Sequence, residues 1–198
     1  MATSRQSQAL ATRQRLLDVA AQLFASEGFA AVTTTGLSEA AGVTRGALYH
    51  HFANMTEVME AVFARSEGQL VSRVSEALAE HADARARLLA LGPVVLKTLA
   101  DDMPMQRIVF VEAPAALGWS RWRALDGGRS LRLVAELLES LAEEGRLVVG
   151  VEPSLAAQLL LGAVNEAGMR VAATEGRDLA AVSAQLTLLC RGVLADRH

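Results

Sequence analysis

A short run of polar side chains at residues 44–50 combines residue types that bind nucleic acid when they share one exposed face of a helix. The run reads Thr-Arg-Gly-Ala-Leu-Tyr-His. An arginine can donate two hydrogen bonds to a guanine edge, and hydroxyl and imidazole groups suit phosphate oxygens and base edges. Small residues at 46 and 47 keep the helix surface low enough to approach a groove closely. We therefore predict contacts with DNA from Thr44, Arg45, Gly46, Tyr49 and His50.

Several of these side chains also have a simpler interpretation. The alternative for Arg45 is a solvated surface arginine, and the alternative for Tyr49 is a packing residue. His50 and His51 raise the question of a metal site. Neighbours on a helix point about 100° apart, however, and are poorly placed to chelate one ion together. We predict no metal site here.

Two short helices must hold this face in place, one on each side of the turn Ala41-Gly42-Val43-Thr44. Hydroxyl groups at 33–35 can cap the first helix, over residues 35–41. The glycine of the turn permits a sharp bend, and the threonine of the turn can cap the second helix, which ends near residue 52. The pattern is that of a helix-turn-helix, whose second helix enters the major groove of DNA.

The elements on either side of this motif have clear boundaries. The preceding helix, about residues 8–27, repeats apolar residues at three-to-four spacing and ends at Gly28. The following helix opens with the capping-box pair Asn54 and Glu57 and continues to about residue 81. The predicted DNA contacts also include residues at these helix starts: Thr33, Thr34, Thr35 and Asn54.

The segment GFAAVTTTGLSEAAGVTRGALYHHFANMTEVMEAVF, residues 28–63, resembles the DNA-binding region of the tetracycline-repressor (TetR-type) family of bacterial transcriptional regulators. The shared features are Gly28-Phe29, the threonine-rich helix start, the Ala-Gly-Val-Thr turn and the ending Leu-Tyr-His-His-Phe. The resemblance implies a two-domain, all-helical homodimer that binds operator DNA and senses a small molecule. The sequence departs from the family at Met55, where a lysine usually meets the DNA backbone, and at Gly36, which weakens its helix.

The remaining sequence predicts only helices. Apolar repeats punctuated by proline and glycine predict them near residues 83–102, 105–117, 120–144, 153–174 and 177–195. We therefore predict an all-α fold with two domains. Residues 1–54 form an N-terminal three-helix helix-turn-helix DNA-binding domain, and residues 55–198 form a larger C-terminal ligand-binding and dimerisation domain.

Composition argues against several other classes of protein. The chain is 52% hydrophobic with a net charge of −3, which supplies a core and lacks the basic excess of a nucleic-acid-binding arm. No apolar run approaches the roughly 20 residues that span a bilayer, and no signal peptide opens the sequence, so we expect a cytoplasmic protein. The single cysteine, Cys190, argues against a disulfide framework. No motif predicts a cofactor or a catalytic nucleophile with its base.

The C-terminal region contains one candidate ligand site. Trp119 and Trp122 share a helix face and hold most of the aromatic area there, while Glu112 and Asn165 are polar residues within apolar runs. Such a mixture suits a small-molecule pocket. Core packing, a helix cap or a buried hydrogen bond would explain these residues equally well. The full predicted lining is Phe63, Leu91, Val95, Leu99, Phe110, Glu112, Trp119, Trp122, Asn165 and Met169.

An apolar stripe on the last two predicted helices suggests a dimer interface. Leucine and valine recur on the final helix at alternating spacings of three and four, and small residues on the helix before it permit close approach. Two such helix pairs could form a four-helix interface across a two-fold axis. The alternative is that the stripe packs within its own chain. The predicted interface contains Leu155, Leu159, Ala163, Leu179, Val182, Leu186, Leu189 and Val193.

These features together predict a ligand-responsive transcriptional regulator. In its simplest form it is a repressor that binds a palindromic operator as a homodimer and is released by a small apolar or aromatic effector. A DNA-binding regulator without a small-molecule effector is the alternative, and an α-helical enzyme is a more distant one. The sequence names neither the effector nor the operator.

Overall fold

The computed structural model describes residues 2–196 and confirms the all-α prediction. Within that range, the β-type pairing is limited to an isolated antiparallel bridge between Leu147 and Leu194. A 3₁₀ turn at Phe29–Ala31 and a π-helical turn at Ile108–Glu112 interrupt the series of helices. The helices are α1 Ala2–Glu27, α2 Thr34–Ala40, α3 Arg45–His51, α4 Met55–Ala79, α5 Ala84–Ala100, α6 Met103–Arg107, α7 Ala113–Leu117, α8 Trp119–Asp126, α9 Arg129–Glu143, α10 Pro153–Ala173 and α11 Leu179–Gly192.

The first three helices close around a small aromatic and aliphatic core. Phe24, Leu37, Leu48 and Phe52 are buried, and together they join α1, α2 and α3. Gly28 follows α1 with a positive φ of 87°, which favours glycine, and its N–H donates to the Phe24 carbonyl at 3.2 Å. This core sets the orientation of α3 relative to α1 and α2.

Side-chain caps begin the two short helices where the sequence predicts them. The Thr33 hydroxyl accepts a hydrogen bond from the Gly36 N–H at 3.0 Å, and the Thr44 hydroxyl accepts one from the Ala47 N–H at 3.1 Å. Each cap satisfies an N–H group that has no partner inside its helix. Helix α2 begins at Thr34, one residue earlier than predicted, because Thr33 is the cap.

Helix α4 runs from the helix-turn-helix into the larger bundle. Its first turn is closed by the predicted pair: Asn54 accepts from the Glu57 N–H, and the Glu57 carboxylate accepts from the Ala53 N–H. Farther along, Arg65 donates to the Asp18 carboxylate at 2.6 Å and to the Leu17 carbonyl at 2.9 Å. These contacts join α4 to α1.

The π-helical turn uses a tryptophan to complete its backbone hydrogen bonds. The Ala113 N–H donates to the Ile108 carbonyl, five residues earlier. In that register the Val109 carbonyl would face the nitrogen of Pro114, which has no hydrogen. The Trp122 indole N–H donates to the Val109 carbonyl instead, at 3.0 Å. The predicted continuous helix over this region is therefore interrupted.

The helix predicted at 120–144 is two helices, α8 and α9. Gly127 and Gly128 separate them, since neighbouring glycines favour helix poorly and allow a change of direction. The break leaves Asp126 at the end of α8 and Ser130 in the first turn of α9, both beside the interior of the bundle.

The larger bundle packs tightly where α5 meets α11. A Cβ added to Gly92 would lie 2.6 Å from the Cβ of Leu186, so only glycine allows this approach. Helix α10 packs against α9 and α11 and leaves one of its faces exposed. Within residues 2–196, no helix combines the length and the apolar character needed to cross a membrane.

Candidate DNA interface and ligand cavity

The residues predicted to contact DNA lie at one end of the molecule, around α2 and α3. All are exposed except Thr34, which is half-buried. Leu48 of α3 faces the core. The oxygens of Thr33, Thr44 and Asn54 accept capping hydrogen bonds, but a capping threonine keeps its O–H for donation to another acceptor. The exposed set is Thr33, Thr35, Thr44, Arg45, Gly46, Tyr49, His50 and Asn54.

Tyr49 joins α2 to α3 at this surface. Interaction with Thr34, and then with Arg45, lowers the pKa of the Tyr49 hydroxyl. The Arg45 guanidinium carbon lies 6.0 Å from the centre of the Tyr49 ring, a distance at which a cation is attracted by the ring face. The three side chains therefore interact with one another at this surface.

His51 belongs to the supporting layer and not to the outer face. Burial, followed by the charges of His50 and Arg13, lowers the pKa of His51, which favours its neutral imidazole. Within residues 2–196, no three His, Cys, Asp or Glu side chains come together as a possible metal site. The Cys190 thiol is buried, and burial raises its pKa to about 11, so it is unreactive.

The larger bundle encloses a narrow, mostly apolar cavity of about 40 Å³. A water molecule needs about 10–15 Å³ on this measure, so the space is that of a few waters. Four of the predicted lining residues do line it: Leu91, Val95, Phe110 and Asn165. The complete lining is Glu67, Leu70, Val71, Val74, Leu91, Val95, Val109, Phe110, Asp126, Ser130, Leu133, Val134, Leu161, Val164 and Asn165.

The other predicted lining residues lie elsewhere, and their placement is a correction. Trp122 is fully buried because it completes the π-helical turn, while Trp119 is 59% exposed on the outer side of α8. Phe63 and Leu99 are buried in the core away from the cavity, and Met169 is half-buried outside it. Helical spacing could not tell core from cavity, and for Trp119 it did not identify the outward-facing side of the helix.

Glu112 also lies outside the cavity and instead joins the two predicted domains. One carboxylate oxygen accepts from the Phe29 N–H at 2.8 Å, and the other accepts from Arg107 Nε at 3.0 Å. A Cβ added to Gly28 would lie 3.5 Å from each of these oxygens. The Glu112 side chain is 12% exposed. The carboxylate therefore satisfies a backbone group of the DNA-binding domain from the end of the π-helical turn.

Two buried carboxylates at the cavity were not predicted. Glu67 accepts hydrogen bonds from the Ser130 hydroxyl at 2.9 Å and the Ser130 N–H at 3.2 Å. Asp126 accepts one from the Asn165 amide at 2.6 Å. Glu67 stands in register with buried Phe63, Leu70 and Val74 on α4, at helical spacing, and this pattern could have identified it. We find no comparable sequence signal for Asp126.

An apolar face on α10 and α11 is open to solvent. Leu155, Leu159 and Leu189 are 55%, 68% and 52% exposed, and Leu188 beside them is 52% exposed. Ala163, Leu179, Val182 and Val193 are half-buried along the same helices. Leu186 departs from the prediction: it is buried within its own chain against Gly92 of α5.

The chain matches two models of one protein family. Residues 16–62 match the model described as bacterial regulatory proteins, tetR family. Residues 98–193 match the model described as tetracyclin repressor-like, C-terminal domain. The first range contains the helix-turn-helix, and the second contains most of the larger bundle. Both descriptions name regulatory or repressor proteins.

Individual relatives agree with this assignment. The HTH-type transcriptional repressor KstR2 of Rhodococcus jostii is 38% identical over 79 residues, which are 40% of this chain and 39% of that relative's length. A TetR-family transcriptional regulator of Pectobacterium atrosepticum has a TM-score of 0.74 at 28% identity, covering 97% of this chain and 98% of that one. Thermus thermophilus FadR, a TetR-family repressor in complex with lauroyl-CoA, has a TM-score of 0.71 at 26% identity, covering 94% and 97%. The chain belongs to the tetracycline-repressor family of transcriptional regulators.

Proposed function

We propose that the protein is a ligand-responsive repressor that binds a palindromic operator as a homodimer. The observation that carries this proposal is the outer face of α3, where Arg45 and Tyr49 are exposed beside capped helix starts. None of the ion pairs among residues 2–196 involves Arg45, so its charge is available to a phosphate or a guanine.

The open face of α10 and α11 supports the homodimer. Leu155, Leu159 and Leu189 expose apolar surface on adjacent helices, and apolar patches of this kind favour association. A two-fold axis that passes through this face and runs along the direction from the larger bundle to α3 would bring two copies of α3 to the same side of the dimer. It would also make each contact occur twice, which suits an inverted repeat in the DNA.

The cavity supports the proposal that the protein binds an effector. The π-helical turn supports the proposal that effector binding alters DNA binding. Phe110 lines the cavity, and Glu112, two residues later, holds the Phe29 N–H of the DNA-binding domain. A ligand that displaces Phe110 would therefore alter the position of α1 and α3. It must bind the non-DNA-binding arrangement more tightly, since equal affinity for both arrangements would shift nothing. A similar repressor was solved in complex with lauroyl-CoA, which supports a small-molecule effector.

A binding selection from random duplex DNA tests this function. We expect recovery of an inverted repeat whose half-site centres lie one helical turn, about 10 base pairs, or a multiple of it apart. Placing the recovered repeat across a reporter promoter should then lower expression when the protein is present. Recovery of no preferred sequence, or of direct repeats, would contradict the proposal. Higher expression from the reporter would contradict the repressor role alone.

A further inference from the structure

Trp122 of α8 donates a buried hydrogen bond to the π-helical turn. The Trp122 side chain is fully buried, and its indole nitrogen lies 3.0 Å from the Val109 carbonyl oxygen. Its ring also meets the Phe110 ring edge-on, with the two centroids 6.4 Å apart. Core packing accounts for the ring. The indole N–H has a separate role, because it supplies a donor to one particular carbonyl of the turn.

Pro114 gives that donor its importance. In the π-helical register, each N–H donates to the carbonyl five residues earlier, so the Val109 carbonyl faces the proline nitrogen and depends on Trp122. In an α-helical register, the Val109 carbonyl would have a backbone donor four residues later. The Phe110 carbonyl would then face the proline and have none. The indole N–H therefore favours the π-helical register.

The register decides the position of the Glu112 side chain at the end of the turn. A π-helical turn contains more residues than an α-helical turn, so a change of register would carry Glu112 around the helix axis. In the present register its carboxylate accepts from the Phe29 N–H at 2.8 Å and from Arg107 Nε at 3.0 Å. Both hydrogen bonds therefore depend on the register that Trp122 favours.

Phe29 carries this restraint into the DNA-binding domain. It begins the 3₁₀ turn after α1, and the residue before it, Gly28, has no side chain to cap that turn. Glu112 supplies the cap from the larger bundle. The Phe29 ring packs edge-on against Phe24, with centroids 5.3 Å apart, and Phe24 is fully buried in the core of the first three helices. A restraint on the Phe29 backbone therefore acts on the core that supports α3.

We propose that Trp122 is a positioning residue for the DNA-binding domain. Its indole N–H holds the π-helical register, the register directs Glu112 to the Phe29 N–H, and that hydrogen bond restrains the domain on the larger bundle. In a dimer, Trp122 thereby narrows the range of half-site spacings that the two copies of α3 accept. Only this consequence for half-sites rests on the proposed function.

Amide hydrogen exchange in the full chain without DNA tests the positioning role. Replacing Trp122 by 3-benzothienylalanine keeps two fused rings and puts a sulfur atom where the indole has its N–H. We expect the Phe29 amide to exchange about three- to tenfold faster, as loss of one hydrogen bond implies. The amide of Leu138, in the middle of α9, should not change. Glu112→Ala removes the acceptor itself and gives the full effect at Phe29.

Trp119 provides the matched control. It lies on the same helix as Trp122, with the ring centroids 5.1 Å apart, but it is 59% exposed. The same replacement at Trp119 should leave the Phe29 amide unchanged. An unchanged Phe29 amide in the Trp122 variant, or equal acceleration at Phe29 and Leu138, would overturn the inference, because Trp122 would then act only as part of the core.

Operator length measures the functional consequence. The wild type should bind the recovered inverted repeat more tightly than the same repeat lengthened by one base pair, because the insertion moves the half-sites about 3.4 Å apart and rotates them. This ratio of affinities should fall about two- to tenfold in the Trp122 variant and in Glu112→Ala, and it should be kept in the Trp119 variant. An unchanged ratio in a variant with a faster Phe29 amide would overturn the effect on half-site spacing.

Failure of this inference and failure of the proposed function are distinguishable. Exchange at Phe29 is measured without DNA, whereas the operator is recovered with the unaltered protein. A recovered operator together with an unchanged Phe29 amide would leave the repressor intact and overturn the role of Trp122. A faster Phe29 amide in a protein that recovers no operator would have the opposite meaning.

Discussion

The outer face of α3 and the buried carboxylates Glu67 and Asp126 beside the cavity both belong to groups of polar side chains. The two groups are assembled differently. Thr34, Arg45 and Tyr49 come from two adjacent helices of one short segment and lie at the surface. Glu67 and Asp126, with their partners Ser130 and Asn165, come from four helices distributed along α4 to α10.

This difference has an energetic consequence. An exposed side chain on α3 loses little solvation on folding, so its removal should change DNA binding and leave stability nearly unaltered. A carboxylate at the cavity is desolvated, so its removal should change ligand binding and stability together. The four predictions below test this separation, from the largest expected effect to the smallest.

Charging the open face of α10 and α11 should have the largest effect on operator binding. The double substitution Leu159→Glu with Leu189→Glu should yield monomers that bind operator about 10²- to 10⁴-fold more weakly, because both half-sites no longer bind together. Sedimentation velocity and operator titration measure the two consequences. Leu10→Glu is the matched control, since Leu10 is 58% exposed on α1. A double variant that remains dimeric would place the interface on another face.

Arg45→Ala should weaken operator binding by about 1–3 kcal/mol and relax base preference at one position in each half-site. The midpoint of thermal unfolding should not change, because Arg45 is exposed. Arg45→Lys is a sharper companion: it keeps the attraction to phosphate but cannot bind guanine through two parallel N–H groups. If base preference survived both changes, another residue of α3 would read that position.

Glu112→Ala should weaken the link between the cavity and the DNA-binding domain. It leaves the Phe29 N–H without its acceptor and Arg107 without its partner. We expect a loss of about 0.5–2 kcal/mol in the coupling between effector and operator affinities, measured by titrating one in the presence of the other. Glu112→Gln keeps an acceptor for Phe29 and should restore part of it. Unchanged coupling in Glu112→Ala would assign transmission to α4 alone.

Asp126→Asn should have the smallest effect, and its sign depends on pH. Burial, opposed by Asn165 and Arg123 and assisted by Glu67, raises the pKa of Asp126 above its ordinary value. The folded state therefore holds this proton more tightly than the unfolded chain, and stability is lost as pH rises through the raised pKa. The asparagine variant should melt at a higher temperature than the wild type at neutral pH.

The difference between Asp126→Asn and the wild type should shrink as pH falls toward the ordinary aspartate pKa of about 3.9. Glu60→Gln provides a control of opposite sign. Arg121 holds the pKa of Glu60 below its ordinary value, so this variant should melt at a slightly lower temperature at neutral pH. Thermal melts across this pH range check both directions. An Asp126→Asn protein that is less stable at neutral pH would mean that the charge is well compensated.

Features that depend on neighbours in the chain were predicted correctly from sequence. Three helix caps act over three or four residues, so the spacing of residue types in the sequence predicts each of them. They are the hydroxyl caps at Thr33 and Thr44 and the Asn54–Glu57 capping box. The breaks inside two predicted helices were missed. The π-helical turn depends on an indole donor from another helix, and the glycine pair at 127–128 was included within a continuous apolar repeat.

The sequence by itself determined the all-α fold, the helix-turn-helix and the family. Caps, turns and helical periodicity depend only on residues that lie close together in the chain. Tertiary structure alone decided that Glu112 joins the two predicted domains, that Trp122 completes a backbone turn and that Leu186 packs inward. It also decided that Glu67 and Asp126 share one cavity. A helical pattern indicates on which side of its helix a side chain lies. Only the packing of the helices determines which residues that side chain contacts.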